Sequence, residues 1–140
     1  MTEKYKILGN YIRDLSSETP DLETYLYVKD YIKKYQLNIE IGSKALKDKI
    51  VEISTTFKFE DKSESKKKSF FEIVFITIIR IDDDIKEKKE LEKIILCDVQ
   101  IKIYPELEKA FLNLIHNSGY KDLVLEKKID FEKLYKSKIN

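Results

Sequence analysis

The sequence predicts an α+β domain, an antiparallel sheet with helices packed on one side. Two observations carry this. Strand-like segments of period two dominate as far as Ile81, and helical spacing takes over after Asp84. Strands first and helices afterwards is the order of an α+β fold. The 140 residues fit a single domain spanning 1–140.

Each element has its own reason. Ile7 to Ser17 reads as a first strand, broken by Thr19-Pro20-Asp21, because proline lacks an N–H and restricts the residue before it. Leu22 to Tyr35 carries four tyrosines and reads as partly helical. Leu37, Ile39 and Ile41 alternate with polar residues, the pattern of a half-buried strand. Gly42 to Lys49 reads as a turn. Ile50 to Phe59 alternates again, with Val51, Ile53, Thr55, Phe57 and Phe59 on one face. DKSESKKKS, residues 61–69, reads as a solvated loop. Phe70 to Ile81 is β-branched and aromatic, and apolar on both faces from Ile73 to Ile79. That implies a central strand covered twice, or an apolar face offered to something else.

Beyond Asp82-Asp83-Asp84, Leu91, Ile94 and Ile95 stand at helical spacing. Val99, Ile101 and Ile103 alternate and predict an extended piece. Pro105 is expected to open the main helix, since proline suits a first helical position. Leu107, Ala110, Phe111, Leu114 and Ile115 then form a core-facing stripe, and Asn117-Ser118-Gly119 ends it. Leu123 to Leu125 reads as extended. Asp130 is expected to cap a last helix with Phe131, Leu134 and Tyr135 on its apolar face.

Composition removes several functions. The balance of 27 basic and 26 acidic residues argues against nucleic acid as a partner. A lone cysteine, Cys97, permits no intrachain disulfide and reads as a packed thiol beside Ile94, Ile95 and Leu96. One His and one Cys, His116 and Cys97, make no metal site, and Gly9, Gly42 and Gly119 are too scattered for a phosphate loop. The expectation is therefore no metal, no cofactor and no enzyme activity. The N-terminus shows no secretion signal and the longest apolar run is too short for a membrane span, so the reading is cytoplasmic, without stable membrane insertion.

YIRDLSSETP, residues 11–20, holds the one feature that points outward. In an extended chain Asp14, Ser16 and Glu18 share one face, while Tyr11, Arg13, Leu15 and Ser17 share the other. The two carboxylates then stand roughly 13 Å apart. Such a row either discourages edge-to-edge pairing or docks a basic partner.

The same stretch resembles the first strand of the SecB export chaperones, aromatic-x-[KR]-D-[IL]-S-x-E-x-P. IYPELEKAFLNLI, residues 103–115, is similar to the family helix that opens with an aromatic and Pro. SGYKDLVLEKKIDFEKLY, residues 118–135, is similar to its closing Gly, leucine segment and N/D-F-x-x-L-[FY] helix. The resemblance implies a four-stranded antiparallel sheet with two main helices on one side, assembled as a homotetramer, a dimer of dimers. It implies an ATP-independent holdase that binds unfolded preproteins and delivers them to the translocase ATPase SecA. Carried over, Asp14 and Glu18 contact SecA's zinc-binding tail. The family's further acid falls on Val74, and Glu72, two residues earlier on the same strand face, is taken in its place. The chain also departs from the family at Glu106-Leu107-Glu108 and in its near-neutral charge and KSKIN ending.

A holdase grips clients by exposed apolar area, many weak contacts summing along one chain. Nine Tyr and seven Phe are available. Tyr25, Tyr27, Phe70, Phe71, Phe75, Ile76 and Ile78 are the expected client-binding residues, core or subunit interface being the plain alternative for each. Two other functions remain open: a SecB-like chaperone dedicated to an antitoxin, and an oligomeric binding protein with no client activity.

Overall fold

The period-two segments pair into one sheet. The computed structural model describes residues 4–125 and 129–139. Strands β1 (Tyr5–Glu18), β2 (Gln36–Ala45), β3 (Ile50–Glu60) and β4 (Phe70–Ile81) form a four-stranded sheet in the order β1-β4-β3-β2, every pair antiparallel. The central place of β4 accounts for its two-sided apolar run. Ile73, Phe75 and Ile79 face the helices, and Ile76, on the opposite face, is equally buried. The predicted turn at Gly42 to Lys49 is shorter than expected, because β2 runs on to Ala45. The reversal is made by Asp48 and Lys49, both at φ near 60°. Together with the Ile50 N–H to Lys47 C=O bond of 3.2 Å, this is the geometry of a tight hairpin turn whose twist matches the strands.

Helix α1 (Leu22–Tyr31) starts at Asp21, whose Oδ1 accepts from the Thr24 amide at 2.8 Å. Hydrogen bonding from Thr24, its side chain first and then its backbone, holds the Asp21 carboxyl below the usual range. The helix tightens into a 3₁₀ turn at Ile32–Lys34 and sends Val28 and Ile32 into the core.

The second half corrects the sequence reading. Helix α2 (Lys88–Lys93) passes through a π turn, Ile94–Asp98, directly into α3 (Val99–Asn117). Val99 to Ile103 is therefore helical, not extended, and Pro105 lies inside α3 and does not open it. The apparent alternation was a coincidence of a helical stripe. Val99, Ile103, Leu107, Phe111 and Ile115 are buried at steps of four, while Ile101 is 50% exposed. Proline at 105 forgoes one hydrogen bond to the preceding turn, and the packing of that stripe outweighs it. The helix ends as expected at Gly119, φ 106°, with the Ser118 hydroxyl donating to Leu114 C=O. Leu123 to Leu125 belongs to no strand. Helix α4 (Phe131–Ile139) carries the predicted cap, the Lys133 amide donating to Asp130 Oδ1 at 3.1 Å.

The core lies between the sheet and α1, α3 and α4. Phe57 and Phe111 are fully buried and meet edge to face at 5.8 Å. One polar clip crosses it. Thr55 on β3 donates to Gln100 Oε1 at 3.0 Å, and Gln100 Nε2 donates to the Ile95 carbonyl in the π turn at 3.1 Å. Gln100→Leu removes both bonds and strands two buried polar groups. Urea denaturation should show a loss of about 1–3 kcal/mol.

Candidate docking face

The face of the sheet away from the helices is open. Cross-strand partners share a face, so the register places Asp14 beside Val74, Ser16 beside Glu72 and Glu18 beside Phe70, all on the open side. The Ser16 hydroxyl donates to Asp14 Oδ2 at 2.6 Å, which puts the two side chains on one face as the sequence predicts. Glu72 has Lys58 of β3 on its other flank. Glu18, Lys58, Glu60, Phe70 and Glu72 line a shallow depression of about 420 Å³.

The other half of the predicted partition fails. A break in register between Ile12 and Asp14 makes Arg13 the extra residue of a β-bulge. The bulge carries Tyr11 and Arg13 to the same open face as Asp14. Arg13 Nη2 reaches Glu52 Oε1 at 2.6 Å and the Tyr11 hydroxyl at 3.1 Å. The Tyr11 hydroxyl first, then Glu52, hold the guanidinium charged. Since β1 and β3 flank β4, this ion pair spans β4, and the register sets Ile76 between its ends. That lid explains a fully buried isoleucine on an otherwise open face.

The expected client residues do not form one surface. Phe71 and Phe75 are 2% exposed on the helix side of the sheet and belong to the core; period two alone places them there, opposite Phe70. Ile76 is fully buried between Tyr11 and Ser54 in the register, and Ile78 is half-buried on the open face. Phe70 alone is prominent, 56% exposed. Tyr25 and Tyr27 lie half-buried on α1. Tyr25 stacks on Tyr120 at 5.4 Å and donates to the Gly119 carbonyl at 3.0 Å. Tyr25, Ile32, Tyr120 and Leu123 help to line a 680 Å³ cavity that sequence reasoning missed. Its walls come from opposite ends of the chain. Also missed were Leu8, Tyr11, Ile12 and Leu15, which are exposed along β1.

The groups weighed for chemistry sit elsewhere. Cys97 is buried, and burial pushes its thiol pKa up, away from the thiolate a nucleophile needs. His116 Nε2 lies 2.8 Å from the Leu123 carbonyl, a structural bond behind α3. Among the described residues no group of His, Cys, Asp or Glu is placed to hold a metal, and no helix is long and apolar enough to cross a membrane.

A family model described as preprotein translocase subunit SecB matches residues 1–140. The chain belongs to the SecB family. A putative protein-export protein SecB of Pelagibacter ubique is 56% identical over 140 residues, 100% of both chains. The protein-export protein SecB of a Bradyrhizobium strain is 25% identical over 130 residues, covering 93% of this chain and 78% of its own. The fold is similar to that of a SecB-like chaperone of Mycobacterium tuberculosis, solved in complex with a ChAD peptide from the HigA1 antitoxin. There the TM-score is 0.63 at 13% identity, covering 89% of this chain and 91% of that one. SecB membership places the chain among the protein-export chaperones. On the open face Val74 lies directly opposite Asp14, and Glu72 stands two residues along β4 on the same side.

Proposed function

We propose that the chain is an ATP-independent holdase that binds unfolded preproteins and hands them to SecA. Its docking site is the end of the open face that carries Asp14, Glu18 and Glu72, with Phe70 beside them. The observation that carries this reading is the register itself. It brings three carboxylates from two strands to one solvent-facing surface, with a large exposed aromatic among them. A basic tail finds there both charge and apolar area. Clients are held by Tyr25, Tyr27, Phe70 and Ile78, the expected residues that keep accessible surface. The working form is a cytoplasmic homotetramer, a dimer of dimers.

The test is the solution mass of the protein alone and with a reduced, unfolded client, together with light scattering of that client. A tetramer that forms a soluble complex and suppresses scattering is the expected result. A monomer indifferent to unfolded chains removes the holdase. The likeness to the antitoxin-bound chaperone supports a second reading, a chaperone serving one antitoxin. It predicts protection of that antitoxin and none of unrelated unfolded clients.

A further inference from the structure

The open face has a second, opposite pole. Lys6 and Arg80 are direct cross-strand partners on it, both exposed. Two cations held side by side on neighbouring strands repel each other. Among the described residues no acid forms an ion pair with either of them. Lys4 pairs with Glu90, and Asp83, which with Asp82 shares a 430 Å³ hollow beside Lys6 and Arg80, pairs with Lys49 at 3.0 Å. Along β4 the distance from Arg80 to Val74, the partner of Asp14, is six residues, roughly 20 Å. The ground between is neutral: Tyr11, Ile78 and the Arg13–Glu52 pair, whose charges cancel.

We infer that the open face docks a polypeptide segment of both signs, its basic residues on Asp14, Glu18 and Glu72 and an acidic group on Lys6 and Arg80, roughly 20 Å from Asp14 and roughly 33 Å from Glu18 along the strands. The inference rests on the docking reading above and deepens it. A purely basic tail meets repulsion at the Lys6–Arg80 end. A carboxylate lying between the two side chains relieves it and fixes how far the segment slides. Electrostatic complementarity of this kind sets register and partner choice more than raw affinity.

The probe is a pair of fluorescent extended peptides of about 12 residues, a length that covers the face at about 3.3 Å per residue. Both carry three Lys at one end; one carries two Glu at the other, and its control carries two Gln. Binding to the full chain is followed by anisotropy at low ionic strength. The Glu peptide should bind about fivefold more tightly than the Gln peptide, the scale of two exposed ion pairs. That preference should vanish in Lys6→Gln with Arg80→Gln. Asp14→Lys with Glu18→Lys should weaken both peptides. Equal binding of the two peptides, still lost in the acidic-end variant, overturns the bipolar face and leaves the docking reading standing. Binding indifferent to Asp14 and Glu18 overturns the docking reading and the inference with it.

Discussion

Phe111→Ala is expected to cost about 3–5 kcal/mol. Phe111 is fully buried on α3 and meets two rings of β3 edge to face, Phe57 at 5.8 Å and Phe59 at 5.4 Å. Truncation removes the transfer energy of the ring and leaves a cavity that strands and helix, tied at the Thr55–Gln100 clip, cannot collapse to fill. A typical domain holds only about 5–15 kcal/mol in all, so the variant should melt far earlier or fail to accumulate folded. Thermal denaturation of the two proteins under one condition measures it. A change under about 1 kcal/mol would mean that the helix does not sit on the sheet as described.

The second large effect belongs to the acidic pole. Asp14→Lys with Glu18→Lys changes the local charge by four units on a surface that packs nothing. SecA binding should weaken roughly tenfold or more at low ionic strength. The difference should shrink as added salt shortens the screening length. Suppression of client aggregation should be unchanged, because the client residues that keep accessible surface are apolar. Unaltered SecA binding would move the docking site off this face. Loss of holdase activity together with docking would show that clients need the carboxylates as well as Phe70, which the two surfaces share.

β3 was legible in the sequence because buried and half-buried residues alternate along its whole length, and β4 because its length is β-branched and aromatic. Period two then fixes which residues point inward, and β3 and β4 begin at the predicted residues. The acidic row was legible for the same reason on its Asp14–Ser16–Glu18 side. What escaped was everything set by an irregularity. The bulge at Arg13 has no signature of its own, since arginine alternates like any other residue. Only the pairing with β4 shows the extra position, and with it the move of Tyr11 to the acidic face. Gly9, at the other break in β1, was the better clue, because glycine within a strand often marks a bulge. The helical half was misread at one point for a comparable reason. Ile94, Ile95 and Cys97 are all buried at the π turn, so the apolar stripe broadens there before it narrows to steps of four from Val99. Strict helical periodicity therefore lost the thread there and picked it up only at Pro105.

The π turn at Ile94–Asp98 has a further consequence. A π turn is one surplus residue absorbed into a helix, the trace of a tolerated insertion. Between Ile94 and Asp98 the chain has slack. Removing one residue there restores ordinary winding and leaves α2 and α3 presenting their present faces. Removing one residue from the middle of α3 has no such refuge. Everything downstream turns by about 100° about the helix axis and Phe111 leaves the core. Length variation between relatives should therefore gather at the π turn and spare the helix that follows it.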